Sequence, residues 1–320
     1  MKPVIYITRK IPDELLQPYK DDADFRMWES ETTPVPRDVL LEEASAADGV
    51  LSLLTEKIDR ECLQTAGHLK IVANMAVGYD NIDVQAAHDQ GIIVTNTPDV
   101  LTETTADLTF GLLMATARRM VEASDYIREG QWKHWSPYLL AGSDINNKTM
   151  GIVGMGRIGE AVARRAKGFN MTVLYHNRTR NQTAERDVGA VYTAFDQMLQ
   201  EADFVVSLVP LTNETKHLFN EDVFRQMKES AIFVNASRGA TVDEDALYDA
   251  LLNKHIRAAG LDVYEQEPIA PDHPLVGLEN TVCLPHIGSA SEETRSDMLR
   301  LCLDNLTAVL NGKQPLTPVR

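Results

Sequence analysis

Thr149 to Arg180 reads TMGIVGMGRIGEAVARRAKGFNMTVLYHNRTR, and it restricts the fold more than any other stretch. An apolar run from Met150 to Val153 meets Gly154-x-Gly156-x-x-Gly159. A helical segment follows, with Ile158, Ala161 and Val162 at i, i+3 and i+4 spacing, and then a second apolar run from Met171 to Tyr175. Strand, glycine turn, helix and strand make a βαβ half-unit that binds a dinucleotide. Gly154 allows the tight turn, Gly156 lets backbone N–H groups approach a pyrophosphate at the positive helix end, and Gly159 lets helix and strand pack closely. Gly168 reads as the helix stop. Glycines alone would mark only a turn; their place between a strand and a helix is the stronger signal.

The end of the second strand bears on which dinucleotide. NAD-binding folds place an Asp or Glu about 20 residues beyond the glycines, where it accepts hydrogen bonds from the ribose and repels a 2′-phosphate. Here the segment is His176, Asn177, Arg178, Thr179 and Arg180, without a carboxylate. Asn177 bonds without repelling, and Arg178, with Arg180 as a second candidate, suits a phosphate through charge-assisted forks. NADP(H) is therefore expected over NAD(H), with NAD(H) as the lesser cofactor.

The 320 residues suffice for about two domains. A formal charge of −16 argues against nucleic acid or an anionic membrane as the main partner, so an anionic ligand needs locally placed arginines. Cys62, Cys283 and Cys302 are far apart, without metal-like spacing. They read as reduced small hydrophobes of a cytoplasmic protein, and no metal site is expected. The N-terminal MKPVIYITRKIPDELL lacks the apolar region of an export signal, and no run approaches the ~18 apolar residues of a membrane span.

Short apolar runs at Lys2–Thr8, Asp48–Leu54, Leu69–Ala73 and Gly91–Thr95 alternate with polar or helical segments, including one from Pro12 toward Lys20. They predict a small parallel sheet with crossovers. Asn74 to Asp83 (NMAVGYDNID) turns at a Gly beyond one of these strands, where free amides suit a carboxylate or where Asp83 simply caps the next helix. Thr102 to Arg119 is apolar nearly all round and predicts a buried helix. The loop Gln131 to Pro137 carries Trp132 and Trp135, which mark a pocket wall or interface, or plain packing. Further buried strands are predicted at Phe204–Val209, Ala231–Asn235, Ala258–Asp262 and Thr281–Leu284, with helices at Glu221–Lys228 and Glu244–Lys254. A last helix starts near Ser289, where Ser289-x-x-Glu292 matches a capping box, and stops at Asn311-Gly312. The fold class is α/β, with two doubly wound parallel-sheet domains.

Three polar segments fall just beyond strand ends of the second domain: Asn235-Ala236-Ser237-Arg238-Gly239, Asp262 to Pro268 (DVYEQEP) and Pro285-His286-Ile287-Gly288. Each has an ordinary structural explanation alone. Together they supply a cation, a carboxylate and an imidazole. Hydride arriving at a carbonyl carbon leaves negative charge on oxygen, so the reaction needs a proton donor and a nearby positive charge. His286 suits the acid, Glu267 would favour its protonated form and fix the ring, and the planar fork of Arg238 suits a carboxylate and a carbonyl.

With VGYDNID, GMGRIG, ASRG, LDVYEQEP and LPHIGSA in that order, the chain resembles the D-isomer-specific 2-hydroxyacid dehydrogenase family over essentially its full length. The resemblance implies that Arg238, Glu267 and His286 are catalytic. It also implies that the Val77 and Gly78 amides bind the substrate carboxylate, with Leu53, Trp135, Arg238 and His286 around the substrate. Asp262 then lies near the nicotinamide, and further cofactor contacts are implied at Thr105, Met155, Arg157, Ile158, Thr179, Val209, Pro210, Thr215, Ala236, Ser237 and Gly288. A flavodoxin-like substrate domain (1–99 with 288–320) and an inserted Rossmann cofactor domain (100–287) are implied, with a cleft between them.

The LLT segment from Leu53, the arginine-bearing ribose site and the WKHWSP loop are most similar to the glyoxylate/hydroxypyruvate and 2-ketogluconate reductase branch. That branch implies a small 2-oxo or 2-hydroxy acid substrate and a homodimer through about 102–144, with Trp135 reaching a partner's site. Formate dehydrogenases, with Gln in place of Glu267, and phosphoglycerate dehydrogenases, with an acidic ribose residue, fit less well. Two alternatives remain at this point: a dinucleotide-sensing, corepressor-like regulator, and an NAD-dependent catabolic dehydrogenase.

Overall fold

The computed structural model describes residues 2–319. The chain forms two compact units, one of Met1–Leu101 with Ala290–Arg320 and one of Thr102–Ser289. Each is built on its own parallel sheet.

The sheet of the first unit comprises β1 (Val4–Ile7), β2 (Asp24–Met27), β3 (Gly49–Ser52), β4 (Ile71–Asn74) and β5 (Ile93–Thr95), in the order β2-β1-β3-β4-β5. The central strands are buried throughout, as expected where helices cover both faces. β2 escaped the sequence reading because DFRM is an edge strand with two charged residues in four. The helix expected from Pro12 runs only over Asp13–Leu16 and tightens to a 3₁₀ turn at Gln17–Tyr19, where Pro18 has no N–H for an α-helical bond.

The last helix, Glu292–Leu310, returns to this unit. Its Leu306 lies so close to β3 that a Cβ at Gly49 would sit 2.8 Å from Leu306 Cδ2. The cap is Ser291, whose side chain accepts from Thr294 N at 3.2 Å, and not Ser289 as the sequence motif implied. Gly288 and Ser289 still lie in a turn, so helical dihedrals begin two residues later.

The second unit has seven strands: β6 (Thr149–Val153), β7 (Thr172–His176), β8 (Val191–Tyr192), β9 (Phe204–Ser207), β10 (Ile232–Asn235), β11 (Ala258–Leu261) and β12 (Thr281–Cys283). Their order is β12-β11-β10-β9-β6-β7-β8. Side chains alternate between two apolar layers. Ile152, Tyr175, Val206 and Val234 enter one, while Val153, Leu174, Val205 and Phe233 enter the other. The buried helix Thr102–Ala117 crosses one face, so close that a Cβ on Gly260 would meet Thr116 Oγ1 at 2.6 Å. Contact on several sides explains why its sequence is apolar all round.

Register aligns the carboxyl ends. Val153 pairs with Ser207, Ser207 with Asn235, Asn235 with Leu261, and Leu261 with Cys283. The turns after β6, β9, β10, β11 and β12 therefore leave one edge at one level. The strand order reverses between β6 and β9, the place where open parallel sheets receive ligands.

Candidate functional site

The glycine turn occupies that reversal. Gly154 has φ +103°, and a Cβ there would lie 2.6 Å from the Leu208 carbonyl carbon and 2.8 Å from Val209 N. Only glycine lets the turn press against the β9 end. A Cβ on Gly159 would overlap Gly154 O at 2.5 Å, as the close-packing role requires. Gly156 differs from both: it is exposed, and nothing lies within 4 Å of its would-be Cβ. It precedes the helix Arg157–Lys167, whose N-terminus has no side-chain cap. Uncapped amides beside an open glycine face fit a pyrophosphate by charge and space.

Asn177 reaches back to this turn. Its Oδ1 accepts from Met155 N at 2.7 Å and its Nδ2 donates to Met155 O at 3.2 Å. Asn181 adds a 2.9 Å bond to the same carbonyl and a 2.6 Å bond to Glu160 Oε1. The two asparagines thus brace the glycine turn. Of the two arginines, Arg180 is held in a fork by Glu185 at 2.9 and 2.8 Å and lies over the Tyr192 ring at 5.6 Å. Arg178 and Thr179 are exposed. The Glu214 carboxyl is held below its ordinary range by a Thr212 hydrogen bond and, less, by the nearby charge of Arg178. Pro210 and Thr215 belong to the turn after β9, where Thr215 Oγ1 donates to Pro210 O at 2.6 Å.

The three polar segments stand at the ends of β10, β11 and β12. Fully buried Asn235 shapes the first: its Oδ1 accepts from Ser237 N and Oγ at 3.1 and 2.8 Å, and its Nδ2 donates to Arg238 O at 3.0 Å. Ala236 is half-buried, and Arg238 Nη1 donates to Ser237 O at 2.8 Å. The next residue must be glycine, because a Cβ on Gly239 would fall 1.7 Å from the Tyr264 carbonyl carbon.

His286 Nδ1 lies 2.7 Å from Glu267 Oε2, and Glu267 Oε1 accepts from Tyr264 N at 3.0 Å. Both side chains are about one quarter exposed, at 24% and 26%. His286 has φ +53°, a left-handed conformation that persists in a non-glycine residue only when its surroundings hold it. They do so here: Ile287 N donates to Asp262 Oδ1 at 2.8 Å, and Tyr264 Oη donates to Leu284 O at 3.0 Å. Burial pushes the Asp262 carboxyl above its ordinary value, opposed by the Ile287 and Gly288 amides and the neighbouring imidazole. Thr105 packs at the same spot: a Cβ on Gly288 would meet Asp262 Oδ2 at 3.2 Å and Thr105 Cγ2 at 3.4 Å. Asn235 and Tyr264 lie within the polar segments read from the sequence, but neither is assigned a role of its own there.

Two groups of expected site residues stand elsewhere. Leu53, Val77 and Gly78 belong to the first unit, on the turns after β3 and β4, with Val77 37% exposed. Trp135 is 76% exposed, so its own chain does not enclose it. Among the described residues no helix is long and apolar enough to cross a membrane.

A doubly wound sheet with a glycine turn at its reversal and an imidazole–carboxylate pair on the same edge defines a dinucleotide-linked oxidoreductase architecture. The family model for the D-isomer specific 2-hydroxyacid dehydrogenase NAD binding domain matches residues 110–288. The chain is 51% identical over 316 residues to the glyoxylate reductase of Korarchaeum cryptofilum, covering 98% of this chain and 95% of that one. It is 47% identical to the glyoxylate reductase of Pyrococcus horikoshii, covering 100% and 96%. Among solved structures, it superposes on a protein from Thermus thermophilus with TM-score 0.93, 43% identity and coverage of 99% and 100%. It also superposes on the NADPH-dependent glyoxylate/hydroxypyruvate reductase of Sinorhizobium meliloti, in complex with NADP and malonate, with TM-score 0.85, 36% identity and coverage of 100% and 97%. The chain belongs to the D-isomer specific 2-hydroxyacid dehydrogenase family and is an oxidoreductase with an NAD-binding-type domain.

The two leading glycines are expected to respond differently to alanine. Gly154→Ala forces a shift of the Leu208 backbone and should cost on the order of 1–3 kcal/mol, read as a lowered Tm. Gly156→Ala should leave Tm unchanged and weaken dinucleotide binding about tenfold or more, as one charge-assisted bond is worth roughly 1.5–3 kcal/mol. Equal loss of Tm in both variants, by scanning calorimetry, would show that Gly156 is structural.

Proposed function

We propose that the chain reduces small 2-oxo acids to D-2-hydroxy acids with NADP(H), with glyoxylate and hydroxypyruvate as substrates and 2-ketogluconate as a larger candidate. The observation that carries this reading is the 2.7 Å pairing of His286 Nδ1 with Glu267, on the sheet edge that also bears the glycine turn. A bound reduced dinucleotide supplies the hydride. Glu267 faces Nδ1, which leaves Nε2 of His286 as the nitrogen that gives a proton to the carbonyl oxygen. Arg238 holds the substrate and stabilises charge developing on that oxygen. Val77 and Gly78 offer amides to the carboxylate, and Leu53 lines the substrate. On this reading the unit with Met1–Leu101 is the substrate-binding domain.

The cofactor preference rests on Arg178. Arg180 is engaged by Glu185 in a bidentate pair, whereas Arg178 is exposed at the end of β7, and no carboxylate stands between His176 and Arg180 to repel a 2′-phosphate. The reading also includes a homodimer through about 102–144. It is supported by the exposure of Trp132, Trp135 and Tyr138 at 57%, 76% and 86%, large apolar side chains close in sequence that a partner would cover. Sedimentation giving only monomer would remove that part. A cytoplasmic setting is supported by the three unpaired cysteines.

Initial rates with glyoxylate, hydroxypyruvate, pyruvate and 2-ketogluconate, each with NADPH and NADH, test the reading. NADPH-dependent turnover is expected, with Arg178→Ala raising the KM for NADPH about tenfold or more and leaving that for NADH unchanged. Turnover with NADH alone would contradict the Arg178 assignment while leaving the chemistry. Dinucleotide binding without any turnover would contradict the enzyme reading and favour a sensor.

A further inference from the structure

In the first unit the strand order reverses between β1 and β3, and ligands of open parallel sheets collect at the carboxyl edge of such a reversal. A buried polar cluster ties the turns there. Arg9, just after β1, is 7% exposed, and its Nη2 donates to Glu56 Oε1 at 3.0 Å and Thr55 Oγ1 at 2.8 Å. Glu56, 3% exposed, also accepts from Thr8 Oγ1 at 2.7 Å, Thr55 Oγ1 at 2.7 Å and, with Oε2, the backbone N of Leu53 at 2.8 Å. Arg9 Nη1 is buried without a hydrogen-bond partner among the described residues.

A buried ion pair with an unmatched N–H is a poor stabiliser, because desolvation offsets its attraction. Its geometric effect is specific: it fixes the backbone at Leu53. The cluster then continues to the neighbouring turn through one amide. Asn81 Nδ2 donates to Leu53 O at 3.0 Å and to Glu56 O at 2.9 Å. Fully buried Asn74 donates to Gly78 O at 2.9 Å and lies 3.3 Å from Asn81 Oδ1. The turns after β3 and β4 are thereby held to each other, with Leu53 at one end and Gly78 at the other.

We infer that Glu56 and Asn81 are positioning residues, which set the separation of Leu53 from the Val77–Gly78 amides and so the affinity for the 2-oxo acid. The inference rests on the reading that those amides receive the substrate carboxylate. Neither residue touches the reacting atoms, so their loss falls on substrate binding and spares the chemical step.

Asn81→Ala removes the bracing amide, and Asn81→Asp keeps its shape while turning the donor into an acceptor that faces two carbonyls. Both should raise the KM for glyoxylate about tenfold or more, since two hydrogen bonds that order the turns are lost. The inhibition constant of oxalate, a planar mimic of the acid, should rise in parallel, with kcat within about threefold and the Kd for NADPH unchanged. A lowered Tm with KM and oxalate inhibition as in the wild type would overturn the inference and leave Asn81 merely structural. If Asn81→Asp does not fold, Asn81→Ser serves by the same readouts. Should the wild type turn over no 2-oxo acid, the reading beneath fails instead. The bracket is then tested by amide exchange of 76–82, which must quicken in Asn81→Ala; unchanged exchange overturns it.

Discussion

Parallel pairing in register controls the site. Because Ser207, Asn235, Leu261 and Cys283 form one row across β9 to β12, every turn that follows emerges at the same edge. Groups distant in sequence then emerge on one edge without long loops: Arg238, the Asp262–Glu267 segment and His286 come from three successive turns, and Glu267 meets His286. Glycine makes the row close enough to matter. Gly154 lets the dinucleotide turn touch the β9 end, and Gly239 lets the Arg238 turn touch the Tyr264 backbone. A methyl group at either place would force these elements apart.

The electrostatics follow from the same placement. The chain carries −16 overall, so its surface does not gather anions in general. On the proposed reading, anion affinity comes from particular groups: the uncapped start of the helix Arg157–Lys167, Arg178 and Arg238. Acidic groups beyond the strand ends of each unit meet neighbours of fixed geometry. Asp262 faces the Ile287 amide, Glu267 the Tyr264 amide and His286, and Glu56 the Leu53 amide and Arg9. Each carboxylate thus orients the backbone of its own turn.

Much of this was legible in the sequence. Strands of continuous apolar residues, the glycine spacing and the polar segments after AIFVN, AAGLD and TVCL located both sheets and the edge. What was hidden has physical reasons. Edge strand β2 is short and charged, and β8 is two residues long, so neither has a pattern to read. Ser289 matched a cap by spacing, yet the turn at Gly288 carried the helix start to Ser291. Arg178 already ranked before Arg180 in the sequence, but the pairing of Arg180 with Glu185, one helical turn into the next segment, is visible only in the structure. Glu56 sits in a polar turn where any residue would look ordinary and Asn81 within the VGYDNID motif; the contacts that tie them together come from the fold.

The central claim is that the His286–Glu267 pair gives a proton to the acid being reduced. The most direct test is the single-turnover rate at which glyoxylate oxidises NADPH bound to His286→Ala, beside the NADPH Kd of that variant. The expected result is a rate lowered on the order of 10²-fold or more with the Kd unchanged. A rate within about threefold of the wild type would contradict the account.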